Sequence, residues 1–134
     1  MKDRATVFCR RGDRILLVAR SQQPRWTLPG GMAKRGESLY EAARRELAEE
    51  TGLVFAGAQH LFAVEGAHKR HHVFLATLDA QAVAQPAGEI AHCAWIDRQT
   101  LGSMKCSRPT WAIVELAFAW MELDDAREAP VHAA

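Results

Sequence analysis

Residues 38–51, SLYEAARRELAEET, contain neither Pro nor Gly and are rich in Ala, Leu, Glu and Arg, which reads as a helix. Ser38 can cap its first turn with Glu41 three residues later reaching back, and Gly52 can stop it in a left-handed conformation. At about 100° per residue, Leu39, Ala43, Glu46 and Glu50 fall on one line, with Ala42 and Glu49 to one side and Leu47 to the other. An apolar stripe that must turn inward therefore runs into carboxylates. Any fold for this chain has to bury the first half of that helix and find partners for the acidic second half.

A Glu-rich helix face is ordinarily a solvated surface. Like charges at i and i+4 nevertheless repel, and the repulsion grows where water is excluded. Glu41, Arg44, Arg45 and Ala48 occupy other parts of the wheel, so no cation one turn away on the same face offsets the pair. A hard divalent cation such as Mg²⁺ would remove the conflict, since it takes oxygen ligands and shares its shell between a few carboxylates and substrate phosphates. Spacing alone leaves both the solvated face and the metal site open.

Before the helix, WTLPGGMAKRGE joins an extended apolar segment to it through Pro29, Gly30, Gly31 and Gly36. Consecutive glycines let a chain approach a ligand closely, so that carbonyls or amides point at a metal or a phosphate. A PGG alone would read as a plain turn. Placed directly before three crowded carboxylates, it reads as part of the same site.

These residues resemble the Nudix box, G-x5-E-x7-R-E-U-x-E-E-x-G-U with U aliphatic. Gly31, Glu37 and the run Arg45-Glu46-Leu47-Ala48-Glu49-Glu50-Thr51-Gly52-Leu53 match it at every fixed position. Leu28-Pro29-Gly30 and Trp95-Ile96 resemble the usual flanks, extending the likeness to nearly the whole chain. The resemblance implies a Mg²⁺-dependent hydrolase, with Mn²⁺ a possible substitute, that cleaves the diphosphate of a nucleoside diphosphate linked to another group. It implies that Glu46, Glu49 and Glu50 hold metal together with the Gly30 carbonyl. It also implies that Glu37 supports the site through Arg45, whose counterpart makes a structural ion pair. The general base is either Glu49 or a later loop residue, for which Glu89, six residues before Trp95 in QPAGEI, is the candidate.

Arg20, Arg25, Lys34 and Arg35 lie close in sequence to the glycine turn and are candidates for phosphate contacts. The stretch GAHKRHHVF, from Gly66 to Phe74, reads as a basic, solvated hairpin loop whose His68, His71 and His72 are better suited to phosphate or a polar leaving group than to a transition metal. Members of the family specialised for ADP-ribose or dinucleoside polyphosphates place a Pro or a Tyr in the window around His68 to Val73, and neither is present. MutT-type members that cleanse oxidised dGTP read the purine with an Asn before the last helix, where CSRPTW offers Thr110. Trp26 and Trp111 sit in apolar contexts that favour packing over base stacking.

With 134 residues and 49% hydrophobic content, the chain is expected to form one domain over 1–124, followed by a flexible tail over 125–134. A formal net charge of +1 argues against a nucleic-acid polymer or a membrane surface as main partner and leaves a small nucleotide-like diphosphate. Cys9, Cys93 and Cys106 lack paired metal-ligand spacing and read as reduced thiols. The opening MKDRATVFC lacks a long apolar core, and a cytoplasmic location is expected. Strands are predicted over 6–10, 15–19, 60–65, 73–78 and 92–96, and a second helix over 109–123. That order predicts an α/β fold, a mixed β-sheet between helices, and the resemblance implies the same Nudix-like α/β/α sandwich. On the second helix Trp111, Val114, Phe118 and Met121 form one apolar stripe and Ile113, Leu116 and Trp120 another, so one stripe is expected on the sheet and the other either in a homodimer contact or against the N-terminal segment.

Two alternatives stand beside the nucleotide hydrolase. One is a hydrolase of a non-nucleotide diphosphate such as a diphosphoinositol polyphosphate, and the other is a catalytically silent nucleotide-sensing module. Retention of Glu37, Arg45, Glu46, Glu49 and Glu50 favours an enzyme, because a binder has no need of a charge cluster that is costly without metal.

Overall fold

The computed structural model describes residues 1–20 and 25–128. The elements are β1 (Lys2–Arg11), β2 (Arg14–Arg20), β3 (Gly30–Met32), α1 (Leu39–Thr51), β4 (Gly57–Glu65), β5 (Lys69–Thr77), β6 (Ile90–Asp97), α2 (Arg98–Leu101) and α3 (Arg108–Glu128). The strands run β4-β5-β1-β2-β6, with β3 pairing β1. β1 and β5 are parallel and every other pair is antiparallel, so the sheet is mixed as expected.

Alternation along β1 sends successive side chains to opposite faces and builds two cores. Ala5, Val7 and Cys9 meet Ala42, Ala43 and Leu47 of α1, with Phe55 and Phe74 closing that layer. Phe8 joins Ile15, Leu17 and Val73 against Ile113, Val114, Ala117 and Phe118 of α3. The result is the α/β/α sandwich, with α1 and α3 on opposite faces. Among the described residues no helix is long and apolar enough to cross a membrane.

Both ends of α1 are marked as the sequence predicts. The Ser38 hydroxyl accepts from the Glu41 N–H at 3.0 Å. Gly52 takes φ 73° and donates its N–H to the Ala48 carbonyl. The other helix departs from its expected outline. α3 continues to Glu128, past the predicted start of the tail, and residues 129–134 lie outside the described residues. Its buried face is Ile113, Val114, Ala117, Phe118 and Met121, which draws on both predicted stripes, while Trp111 and Leu116 are exposed. Three- and four-residue steps from Ile113 and Val114 set that face: Val114, Phe118 and Met121 of the first stripe are buried, and Ile113 joins them from the second.

The predicted basic loop is also corrected. Lys69 to His72 belong to β5, where Lys2 to Ala5 of β1 pair with them in register, and only the turn from Gly66 to His68 is loop. Those β1 partners lie some 67 positions away in sequence, a pairing that no local composition announces.

Candidate active site

The glycine turn and α1 meet through contacts that only glycine permits. Gly30 has φ 152°, and a Cβ there would strike the Ala5 carbonyl of β1. A Cβ on Gly31 would instead strike the Glu46 carboxylate, so the bare Cα of Gly31 is the floor on which that side chain rests. The Gly30 N–H donates to Glu50 Oε1 at 2.8 Å. The predicted loop thus forms strand β3, and its pairing with Arg4, Ala5 and Thr6 brings the turn against the acidic end of the helix.

Arg45 is the hub. Its Nε donates to Glu37 Oε2 at 2.8 Å and its Nη2 to Glu37 Oε1 at 2.9 Å. Nη2 also reaches the Met32 carbonyl at 3.1 Å, while Nη1 bridges Glu46 Oε1 at 2.9 Å and Glu49 Oε2 at 3.2 Å. The fork matches the Glu37 carboxylate in a bidentate pair, the strong form of such contacts. Arg45 holds the Glu37 carboxyl down to about 2, helped by the Lys34 N–H, and the carboxylates raise the guanidinium's pKa in return. On the helical wheel Arg45 lies off the acidic line, yet its long side chain folds back and supplies the counter-charge that spacing alone left missing.

Glu50 lies deeper. Burial pushes its carboxyl up to about 7; the Gly30 N–H and the charge of Arg4 oppose that rise, and Glu46 adds to it. Among the described residues no three acidic, His or Cys groups converge closely enough to enclose a metal ion; Glu46 and Glu49 are held by Arg45, and Glu50 by the Gly30 N–H. The donor set is nonetheless all oxygen, gathered at one helix end with a carboxyl that resists ionising unaided. Both features suit a hard divalent cation.

The other predicted site residues divide. Arg20 pairs with Glu89 at 2.8 Å on an exposed surface, and its charge reaches Glu50 and Arg4. The stretch before Glu89 leans on the end of α1, the Ala87 N–H donating to the Glu50 carbonyl at 3.0 Å. Lys34 and Arg35 are exposed on the turn before α1. Arg25 lines a cleft of about 790 Å³ on the α3 side of the sheet, together with Arg4, Thr6, His71 and Thr110. Trp26 packs against the α3 core cluster, in keeping with a packing role.

Arg4 lies before the strand predicted over 6–10 and belongs to β1, which starts at Lys2. Its Nη2 donates to the Leu28 carbonyl at 3.0 Å; burial lowers its pKa while Glu50 and Glu46 raise it. It both lines the cleft and faces the carboxylates, and so joins the two. Local sequence gives no signal for it, since Lys2, Asp3, Arg10 and Arg11 make both ends of the strand polar as well.

A mixed sheet between two helices, with a glycine turn feeding a carboxylate-bearing helix, defines a class of α/β phosphate-handling domain. The NUDIX domain model matches residues 1–112, and the chain belongs to the Nudix family. A curated Bacillus subtilis (strain 168) protein named "Putative 8-oxo-dGTP diphosphatase" is 38% identical over 88 residues, 61% of this chain. The match spans 56% of that relative's length, little more than half. The crystal structure of a "putative nudix hydrolase family member" from Chromobacterium violaceum is similar, with a TM-score of 0.78 and 30% identity, covering 89% of this chain and 77% of that one. The NUDIX domain of Shewanella oneidensis NrtR, solved with ADP ribose, shares the fold with a TM-score of 0.74 and 24% identity, covering 90% of this chain and 88% of its own.

Proposed function

We infer that the chain hydrolyses a phosphoric anhydride bond in a nucleotide-like diphosphate, a nucleoside triphosphate before the other classes, with Mg²⁺ as cofactor and Mn²⁺ as substitute. The observation that carries this reading is Arg4, which lines a ligand-sized cleft while its charge reaches Glu50 and Glu46 of α1. The name of the Bacillus subtilis relative supports a nucleoside triphosphate, and its partial overlap leaves the base open.

Glu46, Glu49 and Glu50 would hold the cation, with the Gly30 carbonyl as a further ligand. Bound there, it supplies Lewis-acid activation of water and neutralises charge on the phosphoryl oxygens. The chain's own groups do the rest. Arg45 fixes the carboxylates of Glu46 and Glu49, and Gly30 fixes Glu50. Arg4, Arg20 and Arg25 offer positive charge to phosphates entering from the cleft, with Lys34 and Arg35 on the outer turn. Glu49, half-exposed where Glu46 is not and with Oε2 on Arg45, would accept the proton of the attacking water at Oε1. Glu89 is tied to Arg20 in an exposed pair and steadies that arginine.

The test is product analysis in ¹⁸O-labelled water with Mg²⁺, over dNTPs, 8-oxo-dGTP, ADP-ribose, dinucleoside polyphosphates, nucleotide sugars and diphosphoinositol compounds. Label appearing in a phosphate product of a nucleotide substrate supports the reading. Turnover of the diphosphoinositol compounds alone replaces the substrate class, and nucleotide binding without turnover of anything makes the chain a sensing module.

A further inference from the structure

Among the described residues the buried polar side chains are Thr6, Thr51, His71 and Thr110, and all but Thr51 line the one cleft. Polar groups are not buried on a cleft wall without hydrogen-bond partners, and when the protein does not supply all of them, a ligand does. Thr110 is satisfied locally by the Ser107 hydroxyl at 2.7 Å. His71 is not fully satisfied.

The strand register puts it there. In the parallel pairing of β1 with β5, Arg4 stands opposite His71, and Thr6 Oγ1 lies 3.1 Å from His71 Nδ1. That contact fixes the ring and, among the described residues, leaves Nε2 as its one uncommitted polar atom. Among the described residues Nε2 has no hydrogen-bond partner, and it is not sealed off, since no fully buried side-chain nitrogen or oxygen lacks one. A Cβ on Gly66 would stand 3.7 Å from Nε2, so the atom opens beneath the bare turn that forms the cleft rim.

The groups around the ring keep it neutral. Burial is the main cause, and Arg4 from β1 with Lys69 and His72 of β5 adds to it, drawing the pKa down to about 4. Glu65 of β4, the nearby carboxylate, is engaged by Arg70 at 3.0 Å. A neutral imidazole has no special attraction for phosphate, which Arg4 and Arg25 already serve in this cleft. What it offers is one directional hydrogen bond on a part-apolar wall, the kind of contact that distinguishes one heterocycle edge from another.

We propose that His71, oriented by Thr6, reads the hydrogen-bonding edge of the substrate's heterocyclic base through Nε2 and is the residue that sets base preference. The inference rests on the reading of the chain as acting on a nucleotide-like diphosphate. It is tested without metal and without turnover, so that the two can fail separately.

Calorimetric titration with purine and pyrimidine nucleoside 5′-monophosphates should rank the bases by about 10-fold in Kd in the unaltered protein, the scale of one hydrogen bond. His71→Phe should collapse that ranking, and His71→Gln, which keeps a polar group, should retain part of it. Gly66→Ala provides a second route that leaves His71 in place. Its methyl meets Lys69 O and Pro109 Cγ at ordinary contact distances of 3.5 and 3.6 Å, so the fold survives, while Nε2 is covered and the ranking falls. A ranking unchanged in His71→Phe and Gly66→Ala, no base preference in the unaltered protein, or no binding of any monophosphate overturns the proposal. Ranked binding that depends on His71 in a protein that hydrolyses nothing would uphold it and sink the hydrolase reading instead.

Discussion

Arg45 grips Glu37 with two parallel hydrogen bonds, 2.8 and 2.9 Å, while a third nitrogen bridges Glu46 and Glu49. The same guanidinium therefore sets both the turn and the acidic end of α1. Arg45→Lys keeps the charge but loses the fork, and a single ammonium cannot reach all three carboxylates. The expected outcome is a fall in kcat of about 10- to 100-fold, the usual cost of removing a ligand-orienting partner, with a lowered Tm. Unchanged kcat with Mg²⁺ at saturation would show that Glu46 and Glu49 orient themselves.

The two adjacent glycines fail differently. Gly30→Ala drives a methyl into the β1 backbone at a positive φ, and should destabilise the fold by about 1–3 kcal/mol or more in urea denaturation. At Gly31→Ala the nearest atoms belong to the movable Glu46 carboxylate. It should leave denaturation nearly unchanged while lowering kcat/KM by about 10-fold or more, since a displaced carboxylate is a misplaced one. Equal losses of stability in both variants would contradict this division.

Glu50 sets a pH slope in metal-free protein. Its folded pKa, about 7, lies above the ordinary 4.5, so its contribution to stability is fully present below 4.5 and is lost as pH rises through 7. Glu50→Gln removes the ionisation while the Gln carbonyl can still accept from Gly30. Metal-free Tm measured from pH 4.5 to 8 should therefore fall less steeply in the variant. A steeper fall would mean that the Glu50 carboxylate is stabilised rather than strained where it sits.

His71 slopes the other way. Its pKa falls from 6.5 to about 4 on folding, so its contribution is present above 6.5 and is lost as pH drops toward 4. The difference in Tm between the unaltered protein and His71→Gln should shift in favour of the variant over that window. NMR titration of the His71 ring gives the direct check, and a midpoint near 6.5 would show that the ring is open to water.

How far the sequence reveals this arrangement depends on the range of the interaction. The α1 caps, the strand cores and the box residues follow from spacing within a few turns of chain, and the structure places Glu37, Arg45, Glu46, Glu49 and Glu50 together. β3 is only three residues long and exists because β1 pairs with it, so Gly30–Met32 reads as loop until the fold is known. Lys69 to His72 look like a solvated turn because their side chains are polar, although Arg70 to His72 pair with Ala63 to Glu65 of β4 and the whole run pairs with Lys2 to Ala5, some 67 positions away. Arg4 and His71 acquire their roles only through that pairing, and no local pattern marks a polar strand residue as a cleft wall. The family resemblance marks Arg45 as an ion-pair partner of Glu37, but its reach to Glu46 and Glu49 is not legible, because a helical wheel places Cβ atoms and not the end of a long side chain.

The most direct measurement is initial-rate hydrolysis of a nucleoside triphosphate against Mg²⁺ concentration, for the unaltered protein and for Glu50→Gln. Turnover should be absent in chelator, should rise with Mg²⁺, and should fall by about two orders of magnitude or more in the variant while its fold is kept. Hydrolysis that persists in chelator, or a Glu50→Gln protein that turns over normally and still needs Mg²⁺, would contradict a metal-dependent centre built on the acidic end of α1.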